Sequence, residues 1–223
     1  EAKIALDPDL WSALKVFAET DEAKNLTDTD KRLFEETMAD FREAGADLSQ
    51  DRRNRLEGIS EELAKITQKF SENVLDSTNA WDLIIRDESK LAGLPDSAMD
   101  AALQSAKDKL EQKEGDEPCW RFTLQAPSIS PVLEYLEDDS IRKEIWEAST
   151  KIGWQDEWEN TEVIEQILDL RLEKATLLGK DDFSDVALSR RMAKNGQKAD
   201  AFVSDLRDKT AEAFIRENRE LEA

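Results

Sequence analysis

The chain of 223 residues contains no histidine. That absence excludes Ser-His-Asp and Cys-His catalysis, and it excludes the HExxH zinc site. Cys119 is the only cysteine, so no disulfide can close within the chain, which fits a reducing compartment. With no histidine and only Arg121 as a basic neighbour, Cys119 reads as an inert thiol. Glycine and proline are scarce, at 7 and 5 residues. A sheet-rich fold consumes many turn residues, so this scarcity predicts few, long helices. No apolar run approaches the roughly 20 residues of a membrane-spanning helix. The EF-hand calcium pattern with its central glycine is also missing.

What the chain does hold is charge. Fifty-two acidic side chains face 31 basic ones, for a net charge of −21. Such a surface repels phosphate backbones and anionic lipid, so neither nucleic acid nor a membrane surface is an expected partner. Solubility explains the excess; the functional alternative is a field that draws cationic ligands. Hydrophobic residues make up 39% and charged residues 37%, the balance of amphipathic helices with solvated outer faces.

Periodicity places the elements. Asp7 and Pro8 open a helix predicted to run to about Lys24, with Leu10, Leu14 and Phe17 on one face and Trp11 beside them. A second runs from Thr27 or Asp28 to Ala44, stopped by Gly45, with Leu33, Phe34, Thr37, Met38 and Phe41 as its buried stripe. Leu56, Ile59, Leu63, Ile66, Phe70 and Val74 repeat at three and four residues and predict a long helix from Ser49 to about Asp76. The period then changes. Residues 81–85 and 120–124 read as short strands that pair with each other, and a helix lies between them after Gly93-Leu94-Pro95. Pro127 and Pro131 are expected to bracket a loop, with Pro131 starting a short helix. Further helices are expected from Asp139 or Ser140, from Asn160 or Thr161 to Gly179, from Phe183 to Met192, and from Gln197 onward. Ala199, Phe202, Val203, Leu206, Thr210, Ala213 and Phe214 form the apolar stripe of the last one.

No cluster has the pattern of a catalytic or metal site. Asp181-Asp182 with Asp185 would need six or more converging oxygens to hold calcium, and reads instead as a helix start. The adjacent pairs Glu35-Glu36, Glu61-Glu62 and Asp138-Asp139 point in different directions on a helix, so none is an acid–base dyad. Arg190-Arg191 has the fork geometry for a carboxylate or phosphate, but acidic surroundings favour a salt bridge. Trp81, Trp120, Trp146, Trp154 and Trp158 have the composition of a ligand groove. Core packing is the expected place for Trp81 and Trp146, and partial exposure for Trp154 or Trp158.

Several segments carry a resemblance when taken together: FSENVLDSTNAW at 70–81, LAGLPDSA at 91–98, FTLQAPS at 122–128, IRKEIW at 141–146, and the run Ile167-Leu168-x-Leu170-Arg171-x-Glu173-Lys174-Ala175-x-Leu177-Leu178-Gly179 followed by Met192-Ala193. Their order and spacing closely resemble the thimet oligopeptidase family of zinc metallopeptidases, nearest its oligopeptidase A and peptidyl-dipeptidase branch. The likeness covers nearly the whole chain. It implies a mostly helical, two-lobed parent whose deep channel admits oligopeptides and excludes folded proteins. It also implies a zinc ion held by an HExxH helix and a downstream glutamate, with zinc-activated water as nucleophile. None of those residues has a counterpart here, so no catalytic, cofactor-binding or metal residue is carried over.

The expectation is therefore an all-α fold of mostly long helices with one short β pairing. Residues 1–223 are expected to form a single helical region, with a sub-boundary near 153–160. The start EAKIALDPDL lacks an initiator Met and the last helix has no Gly or Pro stop, the expected marks of an internal segment of a larger enzyme. The resemblance implies zinc in that parent, oligopeptide substrates, the remainder of the parent chain as partner, a monomer, and a cytoplasmic location. This chain by itself is expected to be inactive. The alternative is a free-standing helical module that binds peptides or proteins without catalysis. An enzyme built on a carboxylate pair alone has no motif here.

Overall fold

A computed structural model describes residues 4–5, 7–111 and 115–222. Its elements are α1 (Pro8–Ala18), α2 (Asp21–Lys24), α3 (Asp28–Glu43), α4 (Gln50–Ala80), β1 (Asp82–Ile85), α5 (Asp96–Leu110), β2 (Trp120–Thr123), α6 (Ala126–Tyr135), α7 (Asp139–Ser149), α8 (Thr161–Leu177), α9 (Phe183–Leu188) and α10 (Gly196–Leu221). Among the described residues the fold is all-α apart from one β1–β2 pairing. Two compact units divide the chain: residues 1–64 with 167–223, and residues 65–166.

In the first unit, the Asp7 carboxylate accepts from the backbone N–H groups of Asp9 and Leu10 and so caps α1. The helix expected to reach Lys24 ends at Ala18 instead. The Thr20 hydroxyl accepts from the Ala23 N–H and starts α2, so a local cap outcompetes continuation. The core forms around Trp11, Met38, Phe41 and Ala46. Trp11 stacks on Phe41 with ring centroids 5.5 Å apart, and its indole N–H donates to Asp47 at 3.1 Å. Leu33, expected on the buried stripe of α3, is exposed, and so is Leu10 on α1. Gly45, at φ +87°, ends α3 as the sequence predicts. On α4, Leu56 and Ile59 are buried.

Arginine carries the polar contacts of this unit. Arg55 makes two bonds of 2.6 Å to Glu173 and a third of 3.1 Å to Glu62. Arg190 binds Glu36, Asp40 and Glu43 on α3. The expected helix 183–192 is shorter, ending at Leu188, and Arg190 lies just beyond it. No residue of α10 is buried, and on the apolar stripe read from the sequence Phe202, Val203, Leu206 and Phe214 lie open, as does Ile215.

In the second unit, β1 and β2 pair antiparallel, with Leu83 opposite Phe122 and Ile85 opposite Trp120. Side chains alternate across a strand, so Trp120, Phe122 and Leu124 are buried while Arg121 and Thr123 are half-buried. Arg121 bonds Asp82 at 2.8 Å on the other strand. The helices add Leu91, Ala102, Val132, Leu136, Ile141 and Ile145 to the same core. A 3₁₀ segment Glu88–Leu91, capped by Asp87, follows β1. The loop expected between Pro127 and Pro131 is helical: α6 already starts at Ala126 and Pro131 lies inside it. Pro127 sits in the first turn, where a missing N–H costs nothing. Gly93 has φ +91°, and a Cβ there would lie 2.2 Å from the Tyr135 carbonyl oxygen. That close approach admits only glycine.

The Arg55 guanidinium, through its hydrogen bonds and charge, holds the Glu173 carboxyl below its ordinary value of 4.5. A depressed folded-state value makes the pair stabilising above the unfolded value and removes that contribution as pH falls through the folded one. Urea unfolding is expected to show Glu173→Gln less stable than the parent at neutral pH. The gap should stay constant upward and close as pH drops below about 4.5. A gap unchanged near pH 3 would rule out the ion pair as its source.

Candidate functional site

A cleft of about 420 Å³ lies within the second unit, between the end of α4, the outer half of α7 and the segment 151–158. Trp81, Trp154 and Trp158 line it, together with Glu144, Glu147, Lys151 and Asp156. Its geometry is set from beneath by buried polar groups. Asn73, Ser77 and Asn160 are all buried, and burial requires that each find partners. Asn160 donates from its side-chain amide to the Phe70 carbonyl at 3.3 Å and accepts from the Asn73 amide at 2.9 Å. Its backbone N–H donates to the Gly153 carbonyl at 2.8 Å. The Gly153 N–H donates to the Ser77 hydroxyl at 2.9 Å, and that hydroxyl donates to Asp156. The other Asp156 oxygen accepts from the Trp158 N–H at 2.8 Å. Gly153 stands at φ +67°, and a Cβ there would meet the Asn160 amide at 3.0 Å. The segment that carries Trp154 and Trp158 is thus fastened to α4 at several points.

The tryptophans divide differently from the sequence reading. Trp120 is core. Trp81 is half-buried, packed against the core on one side and lining the cleft on the other. Trp154 and the half-buried Trp158 line the cleft, as their linker-like position allowed. Trp146, expected in the core, is 57% exposed. On α7 the buried positions are Ile141 and Ile145, and the next residue points about 100° away from them.

The remaining candidates have structural work. Asp182 caps α9: the Ser184 hydroxyl, then the Asp185 N–H, hold its carboxyl below the usual range. Asp185 accepts from the Gly196 N–H at 2.8 Å. Asp138 caps α7 and is lowered in the same way by Ser140 and the Ile141 N–H. Glu36 is bound by Arg190 and Glu62 by Arg55, while Glu35 is exposed. Arg190 is therefore in a salt-bridge cluster, and Arg191 is exposed. Cys119 is buried. The zinc that the resemblance implies does not fit the residues present. The sequence supplies no histidine, and among the described residues no group of three or more Cys, Asp or Glu side chains is placed to hold a metal ion.

Sequence reasoning missed the Ser77, Asp156, Asn160 and Asn73 network. One signal was present: Asn73 and Ser77 interrupt the apolar stripe of α4 at helical spacing from Phe70, where a polar side chain needs a partner. Replacing Ser77 by Ala leaves the Gly153 N–H and Asp156 without their shared partner. Urea unfolding is expected to show a loss of about 1–3 kcal/mol. Tryptophan emission should shift to longer wavelength as segment 151–158 loosens. A variant as stable as the parent would mean that water replaces the hydroxyl at no cost.

Comparison with known proteins agrees with the segments that carry the resemblance. Residues 132–223 match the model of peptidase family M3. The chain is 34% identical over 217 residues to oligopeptidase A of Haemophilus influenzae, covering 95% of this chain and 31% of that protein. It is 33% identical over 215 residues to a probable cytosolic oligopeptidase A of Arabidopsis thaliana, covering 96% of this chain and 30% of that protein. It is 26% identical over 225 residues to dipeptidyl carboxypeptidase of Salmonella typhimurium, covering 98% of this chain and 32% of that protein. The chain spans about 30% of the length of these relatives. Along nearly its whole length the chain is related to oligopeptidase A, and over residues 132–223 it matches peptidase family M3.

Proposed function

We propose that the chain is a non-catalytic helical portion of a zinc oligopeptidase, preceding the helix that would hold the metal. In the intact enzyme it forms part of the wall of a channel that admits short peptides and excludes folded proteins. Zinc and the groups that activate water lie in the remainder of that enzyme. The observation that carries this reading is the match at about one-third identity over nearly the whole chain to proteins roughly three times its length. The absence of histidine fits a portion without metal ligands.

The open face of α10 supports the same reading. Phe202, Val203, Leu206, Phe214 and Ile215 keep helical spacing yet are each at least half exposed. A contiguous apolar face of that kind marks a contact surface. Its occupant in the intact enzyme is the remainder of the parent chain. In the 223-residue chain, Phe214→Ala is expected to change unfolding stability by less than about 0.5 kcal/mol. In the longer protein it is expected to cost about 3–5 kcal/mol.

The direct test measures hydrolysis of an internally quenched short peptide. The 223-residue chain is expected to show no turnover. The protein read from the complete open reading frame is expected to cleave the peptide, to lose activity to a chelator and to regain it with zinc. Turnover by the short chain, or a complete frame that encodes no zinc-binding helix, would overturn the reading.

A further inference from the structure

We infer that the cleft of the second unit holds the basic side chain of a peptide, an arginine or lysine, between tryptophan faces and carboxylates. This deepens the peptidase reading and rests on it for the identity of the cation as part of a peptide. The lining brings two kinds of cation-attracting group together: the rings of Trp81, Trp154 and Trp158, and the carboxylates of Glu144, Glu147 and Asp156. Cations are drawn to indole faces by the ring quadrupole. Among the described residues, the rings that carry a cation of this chain over their faces are Trp11 and Phe183. The three cleft tryptophans are therefore free of internal cations.

The carboxylates differ in how far they are engaged. Asp156 is held at both oxygens, by Ser77 and by the Trp158 N–H. It brings fixed negative charge at a fixed position. Glu147 reaches Lys143 only at 3.8 Å, with both side chains exposed, and such a pair is weak. Glu144 makes no ion pair among the described residues. Among the described residues, Lys151 is the one cation in the lining, against three carboxylates. A net negative cleft on a chain of net charge −21 draws cations from a distance.

The chemistry selects an organic cation. A divalent metal needs oxygens that converge on one point, and no such group exists among the described residues. Indole walls instead suit a guanidinium or ammonium on an aliphatic stem, which is partly apolar and partly charged. The cleft volume of about 420 Å³ falls within the range of small-ligand sites. The hydrogen bonds that fasten segment 151–158 to α4 hold Trp154 and Trp158 in place before a ligand arrives, which lowers the ordering cost of binding.

The test is calorimetric titration of the 223-residue chain with three capped tripeptides: acetyl-Ala-Arg-Ala-amide, its norleucine counterpart and its glutamate counterpart. The arginine peptide is expected to bind at least about tenfold tighter than the norleucine peptide, and the glutamate peptide should not bind. Trp154→Ala is expected to weaken the arginine peptide by about three- to thirtyfold. Glu144→Gln, which keeps the side-chain shape, is expected to weaken it several-fold. Trp146→Ala, on the same helix but outside the cleft, is expected to leave it unchanged. Equal binding of the arginine and norleucine peptides would overturn the inference. So would equal losses in Trp154→Ala and Trp146→Ala, or no detectable binding. Each of those failures concerns binding by this chain alone, and leaves the hydrolysis test of the longer protein standing or falling separately.

Discussion

The Ser77 hydroxyl stands where α4, Gly153 and Asp156 meet, and the second unit's cleft depends on that meeting. Ser77 accepts from one backbone group and donates to one carboxylate, so a single buried side chain satisfies two partners. Asn160 repeats the arrangement a few residues on, bonding α4 through its side chain and Gly153 through its backbone. Groups buried this way must all be paired, because an unpaired one loses its water and gains nothing. The irregular segment 151–160 consequently has a defined course, and the tryptophans on it acquire fixed positions.

Charge shapes the first unit by another route. Acidic residues outnumber basic ones, so an arginine placed among helices finds several carboxylates. Arg190 meets three on α3, spaced at Glu36, Asp40 and Glu43 along one face. Arg55 meets Glu173 through a two-pronged contact that a lysine could not reproduce. These contacts are largely exposed and each contributes little by itself. Their value lies in geometry, since they select which helix faces approach within the unit.

The apolar faces show why the sequence-level pattern over-predicts burial. A stripe at helical spacing states that a helix has an apolar side; it does not state that a partner covers it. On α3 the pattern reads correctly at Met38 and Phe41 but not at Leu33. On α8, Val163, Ile167 and Ala175 are buried, while Ile164, Leu168 and Leu172 stay open. On α10 the large members of the stripe, Phe202, Val203, Leu206 and Phe214, are open. The functional proposal gives these open faces a physical use, as contacts with the remainder of a longer protein.

The sequence by itself determined the helical class, the two short strands and their pairing, the caps at Asp7 and Asp182, and the lack of any histidine-based chemistry. Those properties are local or compositional: a cap needs its own turn, a strand its own alternation, and an absent residue type is absent everywhere. The kinship was legible too, because it rests on runs such as FSENVLDSTNAW that survive as strings. Only the tertiary structure decided that Ser77 meets Asp156, 79 positions away, or that Asn73 meets Asn160. It also decided that Trp81 lines a cleft while Trp146 points outward. Such outcomes depend on how helices rotate and pack against one another, and that rotation is fixed by contacts between distant residues that no window along the chain contains.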